Sequence, residues 1–254
     1  MRSFRHDGKL VREPVGHNRR EAERALDARR GDIARASAVQ AQGGVIINAA
    51  LGTATATGYF RNNTIGTSGV ANSGSSGNDP ALDVESNGGG GDLTIVVTNN
   101  QMFQWGSNGA GFLLQAGSTS GNPTSVNATV TNNTIAEPGT FAVANTAQGF
   151  QLNNGTTSGE NFTTCLLFSG NTADQSGTGA GGDVRLRQRF DTKVLMPGYT
   201  GAADGTTGSP TVASYIQGLN SPAPAVTSVS STAAGGGFFN TPGPGNACAV
   251  PSFP

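Results

Sequence analysis

The chain has few of the residues on which most hydrolases and transferases rely for catalysis. Only two of its 254 residues are histidine, and both, His6 and His17, lie near the start. We therefore do not expect a serine–histidine or cysteine–histidine catalytic pair in the rest of the chain. Long apolar runs are also missing, and none approaches the roughly 20 residues that a membrane-spanning helix needs. We expect no insertion into a membrane.

Charge is sparse and unevenly placed. Charged residues make up 12% of the chain, and the formal net charge is -1. Residues 1–40 hold 10 of the 15 Lys and Arg residues but only 6 of the 16 Asp and Glu residues. The remainder is therefore mildly acidic, whereas nucleic acid selects basic surfaces. We predict no nucleic-acid partner.

Metal ligands are scarce as well. The two cysteines, Cys165 and Cys248, have no histidine nearby, which excludes a structural zinc site. A glycine-rich stretch at 88–96 resembles a calcium-binding nonapeptide, but Asp92 stands one place early and no tandem copy follows. We predict no metal and no cofactor. The cysteines either form one disulfide or remain thiols, and the sequence leaves both open.

What the chain has in abundance is glycine, 39 residues, together with serine, threonine and asparagine. This composition is typical of many strands separated by turns. Low apolar content indicates disorder only when it is joined to high net charge, which is absent here. A β-solenoid, whose narrow core needs few large side chains, accommodates such a composition.

A repeat begins after residue 43. Four phrases align on an asparagine, with spacings of 37, 33 and 38 residues. The anchors are Asn63, Asn100, Asn133 and Asn171. Three places before the anchors, the aligned residues are Phe60, Val97, Val130 and Phe168, and two places after them they are Ile65, Met102, Ile135 and Ala173. This alternation predicts strands with these side chains in the core.

A second run of strand-like residues follows each anchor after a loop of variable length, at 81–86, 111–116, 149–154 and 182–190. Constant strands with variable loops are typical of stacked coils, because loops project outward while strands keep register. Asparagine tolerates the left-handed conformation of a sharp corner. We expect the four anchors to lie above one another and to form a ladder of amide hydrogen bonds.

The phrases "FRNNTI", "ATVTNNTI" and "FSGNTA" resemble the repeat of right-handed parallel β-helices over roughly residues 44–195. The block from "RLRQRF" to "ACAVP" is similar to the closing portion of large secreted bacterial β-strand-repeat surface proteins. The resemblance implies an exported solenoid, extracellular or at the cell surface, used for display or adhesion. No signal peptide is visible in "MRSFRHDGKLVREP", so a fragment of a larger secreted protein is a further interpretation.

We predict an all-β fold, a right-handed parallel β-helix of about four coils, with three parts. Residues 1–42 form a charged segment, helical or disordered, in which Asn18 and Glu21 resemble a capping box. Residues 43–196 form the β-helix. Residues 197–254 form a C-terminal cap and a tail rich in Gly, Pro and Ser, and the stretch around 212–219 is either part of the cap or a short helix.

The strongest candidate site is the strand-like stretch 182–194. Simple alternation places six charged residues on one face: Asp183, Arg185, Arg187, Arg189, Asp191 and Lys193. Such a face suits an acidic polysaccharide. The interpretation that we favour is a solvated strand face whose own carboxylates neutralise its arginines. Asp83 and Glu85 also share a strand face, which permits a paired-carboxylate site.

The function that we predict is a non-catalytic extracellular β-solenoid module for surface display or adhesion, with a polysaccharide or a cell-surface glycan as its partner. One alternative is a carbohydrate-active β-helix enzyme, a lyase or hydrolase, that acts on acidic polysaccharide. The other is a structural fragment of a larger repeat protein. Carboxylates, or an arginine and a carboxylate, that converge in a groove would favour the enzyme.

Overall fold

The computed structural model describes residues 56–75, 79–86, 92–106, 110–117, 125–139, 148–174, 182–232, 235–241 and 248–250, together with the backbone pairing of four short strands before residue 49. In the described residues the strands are, in chain order, β1 (Ser3–His6), β2 (Lys9–Arg12), β3 (Asp32–Ile33), β4 (Val45–Asn48), β5 (Ala56–Arg61), β6 (Thr64–Ile65), β7 (Leu82–Ser86), β8 (Asp92–Thr98), β9 (Gln101–Phe103), β10 (Ala110–Ala116), β11 (Ser125–Thr131), β12 (Thr134–Ala136), β13 (Gln148–Asn154), β14 (Thr163–Ser169), β15 (Thr172–Ala173), β16 (Val184–Phe190), β17 (Lys193–Leu195), β18 (Val226–Thr232) and β19 (Gly237–Phe239). One helix, α1 (Val212–Leu219), lies between β17 and β18.

Three parallel sheets form the faces of a tube. The arginine face contains β4, β7, β10, β13, β16 and β18. The long face contains β3, β5, β8, β11, β14, β17 and β19, and the short face contains β6, β9, β12 and β15. Each coil passes from the long face to the short face and then to the arginine face. The chain is therefore an all-β parallel β-helix, as predicted.

Alternation along the strands decides which side chains enter the core. In β11, Val126, Ala128 and Val130 are buried, whereas the residues between them are partly exposed. Val130 lies in register with Val97 below it and Phe168 above it. All eight residues predicted to point inward next to the anchors are buried. Since each strand contributes few core residues, the tube has a narrow core, consistent with the low apolar content.

The corner between the long and short faces depends on two adjacent residues in each coil. The first residue takes a left-handed conformation: Asn62, Asn99 and Asn132 have φ of 57°, 55° and 56°, and Gly170 has 66°. The second residue is the anchor asparagine, which points inward and is buried. The two asparagines of a pair therefore have different roles. The first takes the left-handed conformation that turns the chain, and the second forms hydrogen bonds inside the corner.

The top of the short face is closed by the helical insert (residues 196–225), which takes the place of a fifth short strand. Thr211 is the N-cap of helix α1, and its side chain accepts a hydrogen bond from the Ser214 amide. Val212 and Ile216 from the helix join the buried core. Gly170 donates its amide hydrogen to the Leu219 carbonyl at 2.8 Å, which ties the helix to the last asparagine corner.

Two parts of the chain differ from the sequence-based expectation. The parallel sheets continue past residue 196, because β18 pairs with β16 and β19 pairs with β17. β18 lies where a tail was expected. The sequence did not indicate this strand because its residues do not alternate in polarity, and its pairing comes from β16 beneath it. In the N-terminal segment, β1 and β2 pair antiparallel, and Asp32–Ile33 pairs with β5 rather than forming helix. The rest of the predicted helix lies outside the described residues.

The two cysteines form a disulfide, which resolves the alternative left open by the sequence. Cys165 lies on the outer side of β14, and its bond to Cys248 fastens the last described segment to the long face. The bridge closes a sequence separation of 83 residues. Both residues are buried. A structural bridge of this kind is typical of proteins that fold in oxidising compartments.

Candidate functional site

The arginine strand β16 presents three cations on the outer side of the tube. Val184 and Leu186 point into the core and are fully buried, so the alternating residues Arg185, Arg187 and Arg189 point outward and are half-buried. Neighbouring arginines on this face are two residues apart, about 7 Å along an extended strand. The predicted row of cations is therefore present for these three residues.

Two of the remaining members of the predicted charged face, Asp191 and Lys193, are placed differently. Phe190 has φ of 61° and turns the chain, so the alternation ends there. Lys193 follows on β17 in the long face, opposite Thr163, and does not share a face with the arginines. Asp191 lies in the turn between the two strands. Asp183 accepts a hydrogen bond from the Ala225 amide at 2.6 Å. The prediction was wrong for Lys193 because a corner reorients every side chain after it.

The arginines repel one another. Burial, followed by the charge of Arg187, lowers the pKa of Arg185. Burial and the charge of Arg187 also lower the pKa of Arg189, while Glu160 raises it. Arg189 donates its Nε hydrogen to the Gly155 carbonyl at 2.9 Å. Within the described parts of the chain, the side chains of Arg185 and Arg187 make no hydrogen bond or ion pair, so their charges remain available.

The neighbouring strands surround these cations with uncharged polar groups. Arg185 lies between Gln151 on β13 and Thr227 on β18, and Arg187 lies opposite Asn153. Gln151 donates its side-chain amide to Asn153 Oδ1 at 2.7 Å. A ligand on the arginines would therefore also meet donors and acceptors on the adjoining coils.

An acidic pair lies lower on the same face. Asp83 and Glu85 point outward from β7, and Asp83 is only 8% exposed. Burial raises the pKa of Asp83 to about 8, aided by the charge of Glu85, a hydrogen bond with it and the charge of Asp79. Three strand spacings separate β7 from β16 in the sheet, or about 14 Å. The acidic pair and the arginines therefore do not converge on one point.

Inside the asparagine corner, a column of amides is linked by hydrogen bonds. Asn63, Asn100 and Asn133 each donate a side-chain hydrogen to the Oδ1 of the anchor above, at 3.1, 2.9 and 2.9 Å. Asn171 donates to Asn220 Oδ1 at 3.3 Å, and Asn220 in turn bonds the Phe168 and Ile216 carbonyls. Asn220 was not found from the sequence, since it lies outside the repeat at the end of helix α1.

A second buried polar group lies at the opposite corner, where the arginine face meets the long face. Thr164 donates to Asn154 Oδ1 at 2.6 Å, and Asn154 donates to Thr192 Oγ1 at 3.0 Å. Gln188 donates to the Thr192 carbonyl at 2.8 Å. This hydrogen-bonded group was not identified from the sequence, although alternation along β13 and β16 places Asn154 and Gln188 on the inner side of their strands. They are structural, because their bonding groups face the tube interior.

The outer side of the asparagine corner is a polar groove of about 350 Å3. We call it the amide groove. Its lining consists of uncharged polar residues from three successive coils: Asn62, Asn63, Thr64, Asn99, Asn100, Gln101, Asn132 and Thr134. No sequence prediction pointed to this groove, because the alignment was built on the second asparagine of each pair.

Neither a metal centre nor a transmembrane helix is found among the described residues. No group of three or more His, Cys, Asp or Glu side chains there is arranged to hold a metal ion. No helix in that part of the chain is long and apolar enough to cross a bilayer.

The fold and the exposed sites define a parallel β-helix with an arginine strand and an amide groove. The chain matches no protein-family model, and no curated protein or solved structure shows significant similarity to it. Its function must therefore be argued from its own residues.

Proposed function

We propose that the protein is a non-catalytic extracellular β-solenoid module, of the adhesin-like kind that bacterial surface proteins use, which binds acidic glycans on its arginine face. The observation that carries the proposal is the state of Arg185 and Arg187. Their side chains are half-buried, neighbouring and mutually repulsive, and they have no hydrogen-bond or ion-pair partner among the described residues. Because burial without a counter-charge is unfavourable, an anion that pairs with them is favoured.

The chemistry of the arginine row suits a repeated carboxylate or sulfate. A guanidinium group binds such an anion through two parallel hydrogen bonds, which is stronger and more specific than a point charge. Successive cations about 7 Å apart favour a polymer with regularly spaced anions over a single small ion. Gln151 and Asn153 on the adjacent strand supply partners for the hydroxyl groups of such a polymer.

An extracellular location is supported by the disulfide between Cys165 and Cys248, since such bonds persist in oxidising compartments and are rare in the cytosol. The stacked architecture also suits display, because a tube of constant cross-section holds its faces rigid along its length.

Binding to polygalacturonate, compared with its fully methyl-esterified form, tests the proposal. The two ligands share a backbone and differ in charge, so only the acidic form is expected to bind, with an affinity that falls as salt is added. Arg185→Gln with Arg187→Gln should weaken binding at least roughly tenfold, because each charge-assisted bond contributes about 1.5–3 kcal/mol.

Arg61→Gln is the matched control, since Arg61 lies on β5 in the long face. It should leave binding to polygalacturonate unchanged. Full affinity in the double arginine variant, or equal binding of the esterified polymer, would contradict the proposal.

The second candidate is a carbohydrate-active enzyme, and Asp83 is the observation that favours it. Its pKa of about 8 leaves the carboxyl protonated at neutral pH beside Glu85. A protonated acid next to a carboxylate is the pairing that glycosidic bond cleavage uses. The separation from the arginines favours the binding module instead.

Incubation with polygalacturonate, followed by measurement of reducing ends and of unsaturated products, distinguishes the candidates. The binding module should release neither. An enzyme that uses Asp83 as its acid should lose activity as the pH rises through about 8, and Asp83→Asn should abolish the activity while folding is retained.

A further inference from the structure

The amide groove contains a set of polar side chains that the fold itself does not use. Asn62, Asn99 and Asn132 are exposed, and they stand one above another on successive coils. Their backbone amides donate to the Thr98, Thr131 and Ser169 carbonyls, each at 3.2 Å. Within the described residues, their side-chain amides make no hydrogen bond. Each of these three coils therefore turns one asparagine inward, into the hydrogen-bonded column, and one outward, with no side-chain hydrogen bond among the described residues.

The fourth coil shows that the turn does not require the outward amide. Gly170 stands at the equivalent position, with φ of 66°, and completes the same corner without a side chain. A Cβ built there would collide with Asn132 Oδ1. The column of outward amides therefore ends at the third coil, and so does the groove, whose lining includes Asn132 but not Gly170.

The second wall of the groove has the same chemical character. Thr64, Gln101 and Thr134 lie in register on the short face, one on each of the three coils. The Thr64 hydroxyl and Gln101 Oε1 are 3.5 Å apart. No ionisable side chain lines the groove. Coils repeat at about 4.8 Å, so donors and acceptors recur at that interval along the tube.

These properties match a chain of hydroxyl groups better than an anion or an apolar side chain. Carboxamides and hydroxyls both donate and accept hydrogen bonds, as sugar hydroxyls do. The described lining residues include no cation to select an acidic group, and the surface that they expose is mainly polar, which does not favour a hydrophobic ligand. The volume, about 350 Å3, lies at the small end of the range of ligand sites, which is sufficient for a few sugar units.

We propose that the amide groove binds an uncharged oligosaccharide laid along the axis of the tube, with its hydroxyls bonded to Asn62, Asn99 and Asn132. This site is separate from the arginine strand in both position and chemistry. The two proposals therefore succeed or fail independently, and a module with both sites would bind a neutral and an acidic glycan at once.

Cellohexaose and maltohexaose, titrated into the full chain, test the inference. Side-chain amide resonances of the three asparagines, observed by NMR, should shift with at least one of these probes, and calorimetry should give its affinity. The triple variant Asn62→Gly, Asn99→Gly and Asn132→Gly copies the natural arrangement at Gly170. It removes the amides but keeps a residue suited to positive φ, and it should weaken binding at least tenfold.

Two further variants keep the test decisive. Thr134→Val removes a hydroxyl from the second wall without touching the turn, so it should weaken binding even if the triple variant folds poorly. Arg185→Gln with Arg187→Gln should leave binding of the neutral probes unchanged. Resonances of the three asparagines that shift with neither probe, or binding that persists at full affinity in both groove variants, would overturn the inference.

Discussion

The repeating coils and the helical insert satisfy the same column of asparagines by different secondary structures. In the repeat, each anchor asparagine donates its side-chain amide to the anchor of the next coil, at the corner where the short strand begins. At the insert, the partner of Asn171 is Asn220, which follows the last turn of helix α1. A buried amide therefore needs a hydrogen-bond partner at a defined position, and either a strand corner or a helix end can supply that partner.

The same comparison holds for the core. In the repeat, each apolar residue is covered by the corresponding residue of the next coil, as Val130 is by Phe168. At the insert, Val212, Ile216 and Tyr199 cover the last coil instead. Tyr199 and Tyr215 meet edge to face, with ring centroids 5.5 Å apart. The insert thus caps an end that would otherwise expose apolar side chains and unpaired strand edges.

The largest expected effect comes from placing a charge in the core of either region. Val130→Asp in the repeat and Ile216→Asp in the insert should each prevent cooperative folding, because an unpaired buried charge costs several kcal/mol. Thermal melting followed by circular dichroism measures this. Asn127→Asp places the same charge on the outer side of β11 and should melt nearly as the unmodified chain does. A cooperative melt for Ile216→Asp would show that the insert is not part of the common core.

The disulfide should have the next largest effect, because it fastens the segment after β19 to the repeating coils. Replacing both cysteines by serine should lower the free energy of unfolding by about 2–4 kcal/mol, mainly by freeing the unfolded chain. Urea denaturation with and without reductant measures the change. Reductant should destabilise the unmodified chain and leave the double variant unaffected. If reductant lowered the free energy of unfolding of the double variant as well, its effect could not be assigned to the disulfide.

Asn220→Ala and Asn133→Ala compare the two ends of the amide column directly. Each variant leaves buried donors and acceptors without partners, which costs about 1–3 kcal/mol. If the insert continues the column, the two losses in the free energy of unfolding should be of similar size. A loss for Asn133→Ala with none for Asn220→Ala would mean that the helix merely rests on the coil beneath it.

The smallest effects concern two exposed carboxylates, one in each region. Hydrogen bonds from Ser68, Gly69 and Gln104 lower the pKa of Glu137, which thereby joins loops of separate coils. Hydrogen bonds from Thr207 and Thr206 lower the pKa of Asp204 within the insert. Since both folded pKa values lie below the unfolded ones, both contributions are present at neutral pH and are lost as the pH falls through the folded pKa.

Glu137→Gln and Asp204→Asn should therefore destabilise the protein slightly at neutral pH and make no difference in strong acid. Melting temperature measured against pH tests this. Glu137→Gln should have the larger effect, because its contacts span 69 residues of sequence and those of Asp204 span three. If the difference in melting temperature between a variant and the unmodified chain grew as the pH fell, the carboxylate would not have the lowered pKa on which this prediction depends.

Much of the repeat could be predicted because neighbouring coils contain the same local pattern. Alternation identified Phe60, Val97, Val130 and Phe168 as core residues, and the structure places them in one register. A cap or a short helix was expected around 212–219, and the structure has helix α1 there. Lys193 was misplaced for the converse reason, since alternation does not reveal the corner at Phe190.

The sites were less predictable than the fold. The arginine row follows from alternation within one strand, and three of its members lie where they were expected. The amide groove depends on residues 33 and 37 positions apart that meet only when the coils stack. Asn220 lies 49 residues beyond Asn171 and belongs to no repeat. No local pattern carries such information.

By itself, the sequence determined a narrow tube of stacked parallel coils, because side-chain alternation and recurring asparagine corners are local properties that every coil repeats. Only the tertiary structure decided that a helix completes the amide column, that Cys165 meets Cys248, and that three outward asparagines line one groove. Those outcomes depend on which distant segments come within hydrogen-bonding or covalent reach, and that distance is set by the packing of the whole chain.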